Sequence, residues 1–430
     1  MKNIEFKVYE SELLRERYYK YTHASGLDIY VFPKKLSSAY AILGTRYGSI
    51  DNRFGIKGEA SLTTVPDGIA HFLEHKLFAN EDGSDSFERF SELGADANAY
   101  TDFNKTAYLF SCTDNFGDSL AELIDFVTHP YFTEESVAKE RGIIAQEIKM
   151  YEDSPAEACY CGMLEGLYKH HNIRRNICGT VASISKITPE LLYECYRVFY
   201  DLSNMVLIVC GDVEPDDVVD IADRHLPHKK NNIDIIRATD DEPRAAFMRR
   251  VEKKMKLSKP IFNIGIKDTD IPEDPIERQR KDAAMSILNE MLFSRAGKLY
   301  SELFEEGLIS PEMSYCYTIN KSFAFNSIAG EADDPEVVFE RIRNYIKNAD
   351  DCLSLQDFER GKRVMYAEFV KEFDSTESIS NNMLSFIIDS SEILGYAEII
   401  SSVEFSDVKE LFSKSFNDEF FTMSVVYPLD

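Results

Sequence analysis

The chain has 430 residues, with 75 acidic against 48 basic side chains, a formal net charge of −27, and 44 % hydrophobic and 12 % aromatic content. At roughly 100–200 residues per domain, this length accommodates two to four domains, each large enough to bury its own core without disulfides. A charge of this sign repels a phosphate backbone, and no basic patch with interleaved aromatics offsets it, so nucleic acid is not an expected partner.

The opening stretch, MKNIEFKVYESELLRERYYK, mixes acids and bases where a secretory signal carries an apolar core, and its glutamates are unlike a mitochondrial presequence. Apolar runs such as residues 205–210 fall far short of the ~20 residues that span a bilayer. A cytoplasmic protein with no membrane partner is expected. The eight cysteines form no CxxC pair and read as free thiols, with Cys159 and Cys161 the closest two.

Taken in order, residues 39–47 read as a strand, 68–78 as a helix, 98–112 as a hairpin turning at 102–105, and 115–128 as a helix. Helices follow over 134–153, 155–169 and 189–199, then a buried strand over 204–212 closed by Gly211. The later part repeats this order: strand 261–267, helix 277–293, strands 313–320 and 322–329, helices over 335–348 and from 355 onward, and a last strand over 420–427.

Two further matches support a repeat. Phe103-Asn104-Lys105-Thr106 returns as Ile319-Asn320-Lys321-Ser322 at an offset of 216, each followed by a serine, Ser111 and Ser327. Glu140-Arg141-Gly142 returns as Glu359-Arg360-Gly361 at an offset of 219. Agreement in order and spacing indicates duplication of a unit of about 215 residues. Hairpins followed by runs of helices give an α+β fold, two homologous domains, each an antiparallel sheet with helices packed on one face. The expected divisions are an N-terminal domain over 1–228, a polar and proline-containing linker over 229–246, and a C-terminal domain over 247–430.

The first helix contains His71-Phe72-Leu73-Glu74-His75. On a helix, His71 and His75 lie one turn apart on one face, where both imidazoles reach one ion at about 2.0–2.1 Å. Glu74 stands beside them, placed to take a proton from water at the metal without itself being a ligand. Two histidines on a helix surface are the alternative. A catalytic zinc needs a third protein ligand and an open position, and the helix over 134–153 offers carboxylates. Glu140 and Glu147, seven residues apart, differ by only about 20° in direction, so both project on one side. Surface glutamates in a charged helix are the alternative for that segment. The pair His170-His171 points about 100° apart on a helix with no carboxylate cluster, and reads as surface or loop histidines.

The order GIAHFLEH, GADANAYT, AKERGIIAQEIKMYED, ICGT and NMVLIVCGDV resembles the insulinase-type (pitrilysin-like) zinc metallopeptidases, in a short two-domain subgroup related to mitochondrial-processing-peptidase-like subunits. The resemblance implies one Zn2+ per chain held by His71, His75 and Glu147, with Glu74 as general base and Glu140 as the carboxylate that orients a ligand. It also implies that residues 94–101 form an edge strand on which an extended peptide adds through main-chain hydrogen bonds, with Asn98 and Ala99 as substrate-binding residues. An ordinary hairpin strand is the alternative there.

The second half departs from the family. Residues 277–293 contain no histidine, so a single metal site is expected. Active relatives carry an Arg and a Tyr in a Leu-Arg-Glu…Gly-Leu-x-Tyr segment; here Phe304 stands at the Arg position and Ser310 at the Tyr position. The resemblance implies a peptide substrate and a chamber built by two chains, as a homodimer or as a heterodimer with a related subunit. The expected activity is zinc-dependent endopeptidase hydrolysis of peptides or unfolded precursor segments. The alternative is a weakly active or non-catalytic zinc-bearing subunit that binds peptides in a heterodimeric processing complex. The ribosylhomocysteine-cleaving enzymes share an inverted motif but fail on length and on their cysteine ligand.

Overall fold

A computed structural model of the chain describes residues 4–59, 61–81, 83–231, 233–347 and 352–429. The chain divides into two compact units, each assembled from non-contiguous stretches. Unit 1 comprises Met1–Ile148, Asn176–Thr239 and Glu372–Leu394; unit 2 comprises Lys149–Arg175, Asp240–Lys371 and Gly395–Asp430. A division into continuous stretches, 1–228 and 247–430, therefore follows the repeat, whereas the packing follows these units.

Unit 1 holds a seven-stranded sheet. In chain order its strands are β1 (Lys7–Ser11), β2 (Glu16–Thr22), β3 (Asp28–Pro33) and β4 (Ala39–Thr45). The short strands β5 (Arg53–Ile56) and β6 (Thr63–Thr64) follow, then β7 (Asp96–Thr101), β8 (Thr106–Cys112) and β9 (Met205–Gly211). The spatial order is β1-β2-β3-β9-β4-β8-β7, which leaves β7 at one edge. All pairs are antiparallel except β3 with β9. Strand β10 (Ile235–Arg237), inside the expected linker, pairs with β5 in a separate three-stranded sheet.

The two faces of the large sheet are covered differently. Register places Ala41 opposite Phe110 and Leu43 opposite Tyr108, so these four share a face, and Phe126 of the helix Phe116–Thr128 packs its ring on Tyr108 at 5.7 Å. This is the face covered by the helices of the same repeat. Tyr40 and Ser111 lie on the other, where Asn381 of the helix Thr376–Ile388 donates to the Tyr40 hydroxyl at 3.0 Å. One helix from the second half of the sequence thus completes the unit.

Unit 2 repeats the plan with β11 (Arg250–Met255), β12 (Ile261–Asp268), β13 (Ser314–Ile319), β14 (Ala324–Glu331) and β15 (Phe421–Pro428) in the order β11-β15-β12-β14-β13. This is the order of β3-β9-β4-β8-β7, and again only the first pair is parallel. The helix Pro275–Phe293 covers one face, Asn289 donating to Asn326 at 2.7 Å. On the other lies the helix Pro155–Leu167, whose Gly162 and Gly166 sit directly on Ser424 and Thr422. Each unit is therefore α+β, mostly antiparallel, with its own helices on one face and a single helix from the opposite half of the sequence on the other.

The duplication stands in the topology, but its residue alignment shifts. The hairpin turns are closed by Asp102 N–H to Lys105 O and by Asn320 N–H to Phe323 O, 218 positions apart. The Asn-Lys-Thr/Ser match at 216 is thus two residues out of structural register, a slip that preserves sidedness because strand side chains repeat every two residues. The helix expected over 335–348 is Pro335–Ile346; residue 348 lies outside the described residues. Among the described residues no helix is long and apolar enough to cross a membrane.

Candidate metal centre

The helix Ile69–Leu77 begins at Gly68, whose φ of +90° is a left-handed conformation that favours glycine. A Cβ there would overlap the Cys178 carbonyl. The stretch 176–183 is thus packed on the start of the helix: Asn176 Oδ1 accepts the Cys178 N–H at 2.8 Å, and Ser183 Oγ donates to the Asp67 carbonyl at 2.8 Å. Ile69, Ala70, Phe72, Leu73 and Leu77 bury the helix in the unit. His71 and Glu74 are buried with them, each only 7 % exposed.

The helix Glu134–Glu152 brings in the carboxylates, and the expected constellation assembles. His71 Nε2 lies 3.6 Å from Glu147 Oε1, and His75 Nε2 lies 3.4 Å from Glu147 Oε2. The two imidazole rings are 4.6 Å apart at 63°. One donor atom from each of His71, His75 and Glu147 falls within 4.8 Å of the others. Separations of 3.4–3.6 Å exceed an ordinary hydrogen bond but suit ligand atoms each about 2.0–2.1 Å from a common ion. On the far side of its ring, His75 Nδ1 is 3.0 Å from Glu140 Oε1.

Charge supports the same fit. Burial alone pushes the His75 pKa down, but the Glu140 hydrogen bond and the nearby Glu74, Glu140 and Glu147 carboxylates outweigh it and hold the imidazole above its ordinary value. Burial raises the Glu74 carboxyl, and the Glu147 charge adds to this, while His71, the Thr101 hydrogen bond and His75 oppose them. Three carboxylates around two imidazoles form a site whose excess negative charge a divalent cation relieves.

The edge strand β7 carries Asn98 and Ala99, and the two point to opposite faces. Tyr100 bonds Asn381 at 3.1 Å on the face of the Thr376–Ile388 helix, and Asn98 shares that side. Ala99 and Thr101 lie on the other, where Thr101 Oγ1 donates to Glu74 Oε2 at 2.6 Å. Because Asp102 and Lys105 bond at the turn, alternation along the ladder leaves the Ala99 N–H and C=O facing the free edge. There the Asn98 side-chain oxygen accepts the Ala99 N–H at 2.8 Å.

Two residues near this cluster escaped sequence reasoning: Thr101, and Cys178, whose Sγ lies 3.9 Å from His71 Nε2. Thr101 is the last residue of β7, and its place on the helix-covered face follows once the hairpin turn is located. Of the histidine pair read as surface or loop residues, His170 is exposed, whereas His171 is part-buried in unit 2 and bonds Ser322 at 3.2 Å. In unit 2, Glu290 of the helix Pro275–Phe293 is bonded by Tyr315, and the helix Leu355–Lys371 packs directly on Ile287 at Gly361. Phe304 is 46 % exposed, its ring stacked on Tyr300, while the Ser310 N–H bonds the Glu331 carbonyl.

The chain is similar to known proteins over nearly all of its length. Residues 61–181 match the profile described as Insulinase (Peptidase family M16), and residues 186–365 that described as Peptidase M16 inactive domain. An uncharacterized zinc protease of Bacillus subtilis is 38 % identical over 426 residues, 98 % of this chain and 99 % of the relative. A probable mitochondrial-processing peptidase subunit beta of Arabidopsis thaliana is 28 % identical over 158 residues, 36 % of this chain and 30 % of that one. The crystal structure of an M16-like peptidase from Alicyclobacillus acidocaldarius superposes with a TM-score of 0.90 at 29 % identity, covering 100 % of this chain and 99 % of the other.

Proposed function

Since this chain belongs to the insulinase family, peptidase family M16, we propose that it is a zinc-dependent endopeptidase that hydrolyses peptides or unfolded precursor segments. The observation that carries the reading is the spacing of His71 Nε2, His75 Nε2 and the Glu147 carboxylate, with the outer nitrogen of His75 secured by Glu140. These three side chains would hold one Zn2+ per chain. When bound, zinc supplies a Lewis acid that lowers the pKa of water toward ~7 and stabilises negative charge developing on the scissile carbonyl oxygen.

The remaining steps belong to the chain's own residues. Glu74 takes the proton from the attacking water and returns it to the leaving amine, so a single carboxyl serves as base and then as acid. The free edge of β7 takes an extended peptide as an added strand, through main-chain groups such as those of Ala99. Asn98, whose side chain occupies the Ala99 N–H, turns aside when the peptide docks and then offers its own amide to the substrate. Main-chain pairing gives loose sequence preference, because every peptide carries the same backbone groups.

Residues 1–228 form the catalytic repeat in this reading, 229–246 the linker, and 247–430 a homologous repeat without a metal. Two such chains enclose a chamber, as a homodimer or with a related subunit, in the cytoplasm. A second reading is favoured by one observation: Phe304 and Ser310 occupy the positions where active relatives place Arg and Tyr. On that reading the chain bears zinc and binds peptides but depends on a partner for turnover. Hydrolysis of a quenched fluorescent peptide by the purified chain, with zinc content and solution mass measured on the same sample, tests both. Chelator-sensitive turnover supports the first reading. Zinc at one per chain without turnover supports the second, and absence of zinc overturns both.

A further inference from the structure

The side chain that must move the proton in this reading is held by a hydroxyl whose own neighbour has no proton to spare. Thr101 Oγ1 lies 2.6 Å from Glu74 Oε2 and 3.3 Å from Thr106 Oγ1, while Thr106 Oγ1 donates to the Tyr47 carbonyl at 2.9 Å. A hydroxyl has one proton to give. The Tyr47 carbonyl can only accept, so the Thr106 proton is spent there, and the Thr101 proton is left for Glu74. Thr106 is fully buried and Tyr47 lies in the core, so the hydroxyl beside Thr101 is fixed with its proton turned away.

We propose that Thr101 is a positioning residue for Glu74: its hydroxyl fixes the carboxylate by donating to Oε2 and so reserves Oε1 as the oxygen that takes up and returns the proton. The inference rests on the peptidase reading for the proton's use, but the pose of the carboxylate is independent of turnover. In the proton cycle Oε1–H forms as the O–H bond of water breaks, and the same proton later passes from Oε1 to the leaving nitrogen. Throughout, Oε2 remains the acceptor from Thr101. Without that bond the carboxylate is free to turn about its terminal torsion, which is broad and roughly two-fold, and either oxygen can face the water.

The test compares Thr101→Val, which replaces the hydroxyl with a methyl of similar shape, and Thr101→Ser, which keeps it. A charge-assisted hydrogen bond of this kind corresponds to a loss of about 10- to 100-fold in kcat for Thr101→Val. Its KM and zinc content should stay within about two-fold of the unaltered chain, and Thr101→Ser should recover most of the lost rate. Unchanged kcat in Thr101→Val, a loss confined to KM, a loss of zinc, or equal defects in the Val and Ser variants would each overturn the proposal. If the unaltered zinc-loaded chain hydrolyses nothing, the peptidase reading fails. Crystal structures then decide the positioning role: Glu74 Oε2 within hydrogen-bond reach of Thr101 in the unaltered chain but displaced in Thr101→Val supports it. The same Glu74 pose in both refutes it.

Discussion

The Nδ1 atom of His75 lies 3.0 Å from Oε1 of Glu140, across the imidazole from the nitrogen that faces Glu147. An ionised carboxylate can only accept, so Nδ1 carries the proton and Nε2 keeps its lone pair turned toward Glu147 and His71. In the proposed site Glu140 would thereby select the tautomer able to bind metal. Glu140→Ala should weaken zinc binding about 10- to 100-fold, and Glu140→Gln, whose amide oxygen still accepts, should weaken it less. Competition with a chromophoric chelator measures both, and equal affinities in all three proteins would remove Glu140 from this role.

Glu147 and Glu74 stand beside the same histidines but should separate cleanly by substitution. Glu147 contributes oxygens to both His71 and His75, so Glu147→Ala leaves two imidazoles and an incomplete site. Zinc should be lost on dialysis along with activity. Glu74→Gln would remove only the proposed proton carrier: metal content should match the unaltered protein while peptide hydrolysis falls by at least about 100-fold. Paired elemental analysis and rate measurements check this. Tight zinc in Glu147→Ala would disqualify that ligand, and full activity in Glu74→Gln would disqualify the base.

Gly68 joins two constraints, a φ of +90° and the Cys178 carbonyl in the space a side chain would take. Gly58 has the first without the second: its φ is +98° and nothing lies within 4 Å of an added Cβ. An L-residue in left-handed backbone costs about 1–2 kcal/mol, which both Gly58→Ala and Gly68→Ala should show in denaturant midpoint. Only Gly68→Ala should lose further stability and also bind zinc more weakly, because it pushes the 176–183 stretch off the start of the His71 helix. Matching losses in the two variants would mean that this packing is not what positions the helix.

The elements legible in the sequence are those with a strong burial period. Strands β4 and β9 are almost wholly buried and were readable as apolar runs; β1 and β2 alternate tyrosine with charge and gave no such run. That His71 shares a face with His75, and Glu140 with Glu147, was legible from helical geometry, whereas bringing the two pairs to one site and dividing the roles of the two glutamates rested on the family resemblance. Which sheet a helix covers was not. The Pro155–Leu167 helix follows directly on the Glu134–Glu152 helix yet packs in unit 2, where Gly162 and Gly166 sit on Ser424 and Thr422, about 260 residues away. Two glycines four residues apart announce a close approach but not its partner, and periodicity carries no information about distant chain.

His171 sets an expected pH dependence for unit 2. Burial pushes its pKa down to about 4, with Lys267 adding to the shift and Glu242 and Asp240 opposing it. Its Nδ1 accepts the Ile173 N–H at 3.1 Å, which requires that nitrogen to be unprotonated and leaves Nε2–H for Ser322 Oγ at 3.2 Å. Glu242, half-buried, is driven up by desolvation but more strongly down, to about 2, by the N–H groups of Lys169, His170 and His171 and by Lys267. Both groups have folded pKa values below their unfolded ones, so the unfolded chain binds more protons as pH falls, and stability drops with acid. The His171 contribution is complete above about 6.5 and disappears as pH approaches about 4; the Glu242 contribution disappears lower, between about 4.5 and 2. Denaturant unfolding of unit 2 at pH 7, 6, 5 and 4 should therefore show a falling midpoint, and His171→Gln should flatten the slope between 6.5 and 4. An unchanged slope in that variant would assign the acid sensitivity elsewhere.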